Sequence, residues 1–297
     1  MFKSLSKVVI TFCIITGSIV FGQAQQIKYG FKVGLNFSNL NGPVESNSAG
    51  DILESHKNNI GFHAGGGIRY QIDKKFAVGL ELLYSQKGGK NFFNSDSSYL
   101  LIKRPNNLAP SIAYGKKDEN IRISISYIDF PLNFYYKFKK VEFSVGANVG
   151  IMVNSGGVGE STFSGQTTSG SQIDQFITSY TYNYVRDAAL EYKSTVFNQV
   201  VVDGDNIPVP STLGAYYFYD TKDGNLIETI DVGLNFGLSY YFNDALYLGL
   251  RYNYGLSDIT NNYYGRSNHL LDPQGNYIKL NNYDRNVSTQ ISVGFSF

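Results

Sequence analysis

The stretch NVSTQISVGFSF, residues 286–297, decides the fold class, because it alternates strictly between two kinds of side chain. Odd positions carry Val, Thr, Ile and Phe, whereas even positions carry Asn, Ser, Gln and Gly. Successive side chains of a β-strand point to opposite faces, and helical spacing would mix the two classes. The stretch therefore predicts a strand with one apolar and one polar face.

Seven earlier runs alternate in the same way. They are Phe31–Phe37, Phe62–Ile72, Phe76–Tyr84, Ile121–Phe138, Val141–Val153, Ile230–Phe242 and Leu246–Leu256. The fourth run changes phase between Tyr127 and Ile128, and we expect a β-bulge there, beside Pro131, that restores a common apolar face. Eight runs predict eight strands, and weaker alternation over residues 176–200 leaves ten strands as the alternative.

The connections between these runs are alternately short and long. Short turns fall at residues 73–75, 139–140 and 243–245, and long polar segments fall at about 39–59, 86–120, 154–226 and 259–285. With an even number of strands, all short turns lie at one end together with both termini. The third long loop, 154–226, has a predicted hairpin tip at Asp223-Gly224.

The placement of charge indicates which solvent meets the apolar face. Only 16% of the residues are charged, and Gly, Tyr and Phe number 31, 24 and 21. No Lys, Arg, Asp or Glu falls on the apolar face of the eight runs, where an Arg or Lys at the bilayer midplane would cost about 2–4 kcal/mol. Phe76 and Tyr84 bracket aliphatic residues, as in two interfacial aromatic belts. A soluble sandwich would instead carry many Lys and Glu on its outer face.

These observations predict an all-β fold, a transmembrane antiparallel up-and-down β-barrel with short periplasmic turns and long extracellular loops. We expect integral insertion in the outer membrane, with outer-membrane lipid as the surrounding solvent. The net charge of +1 provides no basic field for nucleic acid, so no nucleic-acid partner is expected.

The N-terminus has the pattern of a secretory signal peptide over residues 1–24. Lys3 and Lys7 precede an apolar run that ends at Phe21, and this run is too short to span a bilayer. We expect cleavage after Ala24, with Gly22 as the alternative. The single cysteine, Cys13, would leave with this peptide, so the barrel domain of residues 25–297 would contain no disulfide.

Several strand motifs resemble the PorT-like outer-membrane β-barrel family of Gram-negative bacteria. The similar segments are YGFKVGLNFS at 29–38, YIDFPL at 127–132, DVGLNFG at 231–237, RYNYGL at 251–256 and VGFSF at 293–297. The resemblance implies an outer-membrane location and eight strands. It also implies that Phe295 and Phe297 form the signal read by the barrel-insertion machinery during assembly. It supplies no catalytic residues.

The polar faces carry seven charged residues that are expected to point into the lumen. They are Lys32, Arg69, Glu81, Asp129, Glu142, Asp231 and Arg251. Eight strands leave an interior filled by side chains, so we interpret these residues as a structural charge network rather than the lining of an open pore. A polar track for protons or small solutes is the alternative.

No enzyme motif stands out, and we predict no catalytic residue, cofactor or metal. His63 points inward near the outer end of its strand, where Ser85 or Glu81 could approach it, but a lumen histidine satisfied by hydrogen bonds explains it better. The polar pieces at 94–98 and 203–206 could offer oxygen ligands to Ca²⁺, yet neither has EF-hand spacing and both suit ordinary turns.

The third loop contains a tyrosine cluster. Its members are Tyr180, Tyr182, Tyr184, Tyr216, Tyr217 and Tyr219. They are a candidate binding surface for a protein or a glycan, and the alternative is that strands extend above the membrane and the rings pack on each other. We predict a non-enzymatic surface protein with structural or binding roles. The alternatives are an accessory component of a PorT-like secretion or gliding apparatus and a small lipid-acting barrel enzyme.

Overall fold

A computed structural model describes residues 26–104, 109–261, 265–280 and 283–297, so the predicted signal peptide lies outside the described residues. No helix in these ranges is long and apolar enough to cross a membrane. The strands are β1 (Ile27–Asn41), β2 (Glu54–Gln71), β3 (Phe76–Ile102), β4 (Ser111–Phe138), β5 (Val141–Thr167), β6 (Gln172–Asn183), β7 (Phe197–Val202), β8 (Asp205–Pro210), β9 (Thr212–Leu213), β10 (Ile230–Tyr241), β11 (Leu246–Gly255), β12 (Arg266–Leu271), β13 (Tyr277–Lys279) and β14 (Arg285–Ser296).

Eight of these strands close into a barrel. The ring runs β1-β2-β3-β4-β5-β10-β11-β14 and returns to β1, with every neighbouring pair antiparallel. The first and last strands join through a continuous register from Gly30–Ser296 to Asn41–Arg285. β6 pairs with the upper part of β5 and with β9, outside the ring. The predicted eight-stranded barrel is confirmed, and the ten-stranded alternative is wrong.

The outer face of the ring is apolar and the inner face is polar. Leu132 is 53% exposed on the outside, whereas the next residue, Asn133, is 1% exposed in the lumen. The same contrast separates Leu35 from Asn36. Aromatic pairs lie at both ends of the apolar band, such as Phe76 with Phe134 and Phe62 with Tyr84. An outward apolar band with aromatic ends is the surface that lipid requires.

Three strands continue far beyond the apolar band and build an external β-domain, which we define as residues 86–126 of β3 and β4, residues 154–167 of β5, β6 to β9, and the β12–β13 hairpin. The predicted second loop, 86–120, is therefore largely strand. Buried apolar side chains fill the inside of this domain. One cluster includes Ile125, Tyr216 and Ile259, and a second includes Ile102, Phe163 and Val202.

The predicted bulge between Tyr127 and Ile128 is wrong, because the phase of β4 does not change. Odd residues point inward along the whole strand, from Ile123 and Ile125 down to Asp129. The sequence pattern reverses because the inside changes from a polar lumen to the apolar core of the external β-domain. A register irregularity does occur at this level, on β5: Ser126 pairs with Asn154 and Tyr127 with Met152.

The third loop also differs from its prediction at the hairpin tip. Asp223-Gly224 joins no pair of strands. The hairpin within 154–226 is instead β7–β8, and its turn is Asp203-Gly204, where φ is 54° and 88°. Two positive φ values in succession define a type I′ turn, which Asp-Gly accommodates well.

Candidate functional site

Glu81 is the centre of a buried ionic cluster on the periplasmic side of the lumen. Arg251 donates two hydrogen bonds of 2.9 and 2.8 Å to its two carboxylate oxygens, and Lys32 Nζ lies 2.6 Å from Oε2. The Tyr135 hydroxyl donates a further bond of 2.8 Å to Oε1. All of these side chains are buried. The carboxylate is thus held by two cations and one hydroxyl.

Arg69 forms a second ionic contact beside this cluster. Its Nη1 donates to Glu142 Oε1 at 2.8 Å and to the Tyr241 hydroxyl at 3.0 Å. The guanidinium also stacks over the Tyr135 ring, with 4.0 Å from Cζ to the ring centroid. Tyr135 therefore links the two ionic contacts, because its hydroxyl bonds to Glu81 and its ring lies against Arg69.

Nearer the external side, Lys87 bridges two carboxylates. Its Nζ lies 3.1 Å from Asp129 Oδ1 and 3.1 Å from Asp231 Oδ2. Asn148 and Asn286 each donate a 3.0 Å bond to these carboxylates. Lys87 was missed because residues 86–120 were assigned to a loop. The signal was present, since Lys87 continues the inward odd positions of β3 beyond Glu81.

The seven predicted lumen charges therefore lie in two clusters, and Lys87 completes them. With it, the network contains four cations and four carboxylates. Two cavities beside the cluster at Glu81 have volumes of about 20 Å³ each, roughly the space of one water molecule. The structural role of this network stays a prediction.

His63 is held in a chain of buried hydrogen bonds. Asn36 Nδ2 donates to Ser85 Oγ at 3.0 Å and to the Gln86 carbonyl at 2.8 Å, so its Oδ1 is the acceptor that faces His63 Nδ1 at 2.7 Å. The Ser292 hydroxyl then donates to His63 Nε2, at 2.8 Å. In this assignment His63 Nδ1 donates to Asn36 Oδ1, and His63 Nε2 accepts from Ser292.

Ser85 lies directly opposite His63 on the neighbouring strand, but the hydrogen-bond partners of His63 are Asn36 and Ser292 rather than Ser85 or Glu81. Ser85 bonds to Asn36, and Glu81 is occupied by Lys32 and Arg251. The order Ser292–His63–Asn36 is that of a nucleophile, a base and an orienting group, but His63 has no exposed surface. A substrate would have no access to it in this conformation.

The six tyrosines of the third loop lie in the external β-domain, mostly inside it. Tyr180, Tyr184 and Tyr216 are buried, and Tyr182 and Tyr219 pack against the same core. Successive rings contact each other, with centroids 5.0 Å apart for Tyr180–Tyr182 and 5.8 Å for Tyr182–Tyr184. They do not form a common exposed surface, and the binding role predicted for them stays a prediction.

The inner face of the external β-domain carries its own charges. The Tyr180 hydroxyl donates to Glu119 Oε2 at 2.8 Å, and Lys117 Nζ lies 2.6 Å from the same oxygen. Burial by itself would raise the pKa of Glu119, but the Lys117 charge and these two hydrogen bonds outweigh it, so this pKa lies below its usual value.

Arg266 makes no ion pair with any carboxylate among the described residues, although its charge is close enough to act on Glu119. Its Cζ lies 3.9 Å from the Phe218 ring centroid and 4.9 Å from that of Tyr277. Among the described residues, its Nη1 is buried and has no hydrogen-bond partner. A cavity of about 40 Å³ adjoins it, lined also by Leu101 and Val209. A half-buried guanidinium with one buried nitrogen that has no acceptor, beside a cavity, can bind an acidic group.

The last residues of the chain close the barrel through backbone bonds. Tyr29 and Phe297 exchange two N–H···O bonds of 2.8 Å, and Phe295 stacks on Phe31 with centroids 5.3 Å apart. The Phe297 side chain is 71% exposed. An exposed terminal aromatic side chain is available to another protein during assembly, and its predicted role as an insertion signal stays a prediction.

Comparisons with known proteins show what this chain is similar to. The sequence model described as "Outer membrane protein beta-barrel domain" matches residues 23–261. Similar solved structures include Ail of Yersinia pestis (10% identity, 92% of this chain and 100% of that chain, TM-score 0.33). OprG of Pseudomonas aeruginosa is similar at 11% identity, 91% and 95% coverage and TM-score 0.34. The outer membrane protease OmpT of Escherichia coli is similar at 10% identity, 92% and 96% coverage and TM-score 0.33. No curated protein matches the sequence.

Proposed function

Because the chain belongs to the outer membrane protein beta-barrel domain family and is an integral outer-membrane protein, we propose that its barrel is a closed anchor for an external binding domain. The function is non-enzymatic, and the ligand is an acidic group carried by a protein or a glycan at the cell surface. One observation carries the proposal: β4 continues over residues 111–126 beyond the apolar band, which is roughly 50 Å of strand.

The binding part of the proposal rests on Arg266 and its cavity. A buried guanidinium nitrogen without a hydrogen-bond acceptor, such as Arg266 Nη1, is costly unless a ligand supplies the acceptor. The Phe218 and Tyr277 ring centroids lie 3.9 and 4.9 Å from the guanidinium carbon, and the two rings are nearly perpendicular to each other. The acidic partner would complete a site formed by Arg266 of β12, Tyr277 of β13 and Phe218 of the segment after β9.

The experiment places a photo-crosslinking amino acid at Leu101, which lines the cavity, and irradiates intact cells. We expect a discrete adduct that becomes about 10- to 100-fold weaker in an Arg266→Gln background, since hydrogen bonds to charged groups contribute about 1.5–3 kcal/mol. The same crosslinker at Ser48, in an exposed external loop, is the matched control. An adduct that persists with Arg266→Gln would refute the site, as would the absence of any adduct.

The closed lumen is tested separately by electrical recording. The four cations and four carboxylates of the network, with cavities of about 20 Å³, support the absence of a water-filled path. Purified protein in a planar bilayer should give no discrete conductance steps. Stable steps in the unaltered protein would instead favour the polar-track alternative.

A role as a PorT-like accessory of secretion or gliding is the second candidate, favoured by the strand motifs at 29–38 and 251–256. These motifs lie on β1 and β11, within the barrel. A secretion role predicts that exported proteins accumulate in the periplasm of cells that lack this protein. It also predicts that reintroducing the Arg266→Gln variant restores their export as fully as reintroducing the unaltered chain. The lipid-acting enzyme predicts a hydrolase activity that is lost with His63→Ala.

A further inference from the structure

A row of three cations lies on the outer face of three neighbouring strands, above the apolar band. Lys57 of β2 pairs directly with Lys90 of β3, and Lys90 pairs directly with Arg122 of β4. All three side chains lie on the outward face, where Lys57 Nζ sits 4.6 Å from the centroid of the outward Phe92 ring. We call Lys57, Lys90 and Arg122 the basic row.

The basic row has no acidic partner within the described part of the chain. None of its members takes part in an ion pair there, whereas the outward Lys116 is paired with Asp96 at 3.6 Å. Directly opposed like charges destabilise neighbouring strands, since their side chains start only about 5 Å apart. The nearby outward carboxylate, Glu160, accepts a 3.4 Å bond from Asn120 instead. Three adjacent cations that form no ion pair with a described carboxylate offer a site for an anion.

The height of the basic row selects the class of anion. On β3 the upper aromatic belt ends at Tyr84, six residues before Lys90, which at the tilt of such strands places the row roughly 15 Å above the belt. The headgroup zone of an ordinary bilayer is only about 5–8 Å thick on each side. Lipids with phosphate or carboxylate groups on a sugar headgroup extend far enough to meet the row, and the Lys and Arg side chains can reach down toward them.

A groove beside the row gives the headgroup a place to lie. It has a volume of about 490 Å³ and is open to the outside, and Lys90, Arg122, Phe92, Val158 and the carboxylate Glu160 are among the residues that line it. Val158 is 55% exposed. The groove continues the lipid-facing surface of the barrel upward on the same strands, so a lipid that packs against the apolar band has its headgroup at the groove.

We propose that the basic row binds an acidic glycolipid of the outer leaflet, through phosphate or carboxylate groups on its sugar headgroup. Arg122 can take such a group in a bidentate manner, and Lys57 and Lys90 act as point charges beside it. The proposal concerns the outer wall of the barrel and does not depend on the external ligand of Arg266.

The test measures binding of fluorescently labelled rough lipopolysaccharide to the protein in nanodiscs of neutral phosphatidylcholine. With about 1 kcal/mol per cation near an anionic surface, the variant Lys57→Gln/Lys90→Gln/Arg122→Gln should bind roughly 100-fold more weakly. The matched control, Lys74→Gln/Lys75→Gln/Lys140→Gln, removes the same charge from exposed periplasmic turns and should bind as the unaltered protein does. Far-UV circular dichroism verifies that each variant is folded.

Two further arms separate the sources of negative charge. Nanodiscs in which phosphatidylglycerol replaces the glycolipid should show little difference between the row variant and the control. The variant Arg122→Lys should lose only part of the affinity for lipopolysaccharide, because it keeps the charge but not the bidentate hydrogen bonds. Equal affinity of the row variant and the control for lipopolysaccharide would overturn the proposal, and so would an equally large effect of the row on phosphatidylglycerol.

Discussion

Replacement of Lys87 by methionine should destabilise the barrel by about 3–5 kcal/mol, the usual consequence of removing one partner from a buried ionic group. Lys87 is 3% exposed and its two carboxylate partners are 4% exposed. Both acidic oxygens lie 3.1 Å from Nζ, so they are no more than about 6 Å apart. At an effective dielectric constant of 20, their mutual repulsion alone is roughly 3 kcal/mol once the ammonium is gone.

The measurement is reversible urea unfolding in lipid vesicles, followed by far-UV circular dichroism. The triple variant Lys87→Met/Asp129→Asn/Asp231→Asn should recover all but about 1–2 kcal/mol, because it removes the charges together. Lys116→Met, which breaks an exposed pair with Asp96, should change stability by less than about 1 kcal/mol. A Lys87→Met protein as stable as the unaltered one would refute the assignment of Lys87 to the lumen.

Four further predictions follow from other parts of the molecule. The pKa of Glu119 lies below its usual value, so its ionised form stabilises the external β-domain. This stabilisation is fully present above about pH 4.3 and is lost as the pH falls through the lower pKa of the folded state. Limited proteolysis between pH 7 and 3 should show faster cleavage of this domain at low pH, and Glu119→Gln should remove that pH dependence. Gly204→Ala at φ 88° should weaken the β7–β8 hairpin by about 1 kcal/mol, seen as faster cleavage there with the barrel intact. In a Cys13→Ser background, an impermeant maleimide should label Thr168→Cys but not Asp244→Cys on intact cells, because these exposed residues lie at opposite ends of the barrel. Phe297→Ala should slow insertion in cells yet leave the vesicle-reconstituted barrel stable, since Phe297 closes the ring through its backbone; equal insertion rates would contradict the role of the terminal aromatic residue.

The membrane part of this fold could be predicted from the sequence because lipid imposes a rule on every outward position. Runs such as Phe76–Tyr84 and Val287–Phe297 have no charge on one face, and the strand count and ring follow from them. The inward charges Glu81 and Arg251 could be assigned from parity alone. The ion-pair partners of these charges could not be assigned from the sequence. Alternation shows which face of a strand a side chain is on, but not which side chains lie at the same height across the lumen.

The external β-domain could not be predicted in the same way, since above the lipid both faces of a strand have new surroundings. On β4 the outward face passes from Phe130 and Ile128 to Ser126 and Ser124, while the inward face passes from Asp129 to Ile125. Such a segment has the composition of a loop with a few hydrophobic residues. The strand continues nevertheless, because its backbone stays paired with β3 and β5.

The point where the pattern reverses is itself informative about the position of the membrane. Tyr127 is the residue of β4 at which the buried face changes character: its hydroxyl accepts a 3.1 Å bond from Asn286 at the level of Lys87, while its ring joins the core that contains Ile125 and Tyr216. The neighbouring strand β5 changes phase at this level, at the irregularity beside Asn154. The outer edge of the hydrocarbon therefore lies close to Tyr84 and Ile128. The basic row, roughly 15 Å above that level, lies beyond the acyl chains and beyond ordinary phospholipid headgroups, within reach only of headgroups that extend further.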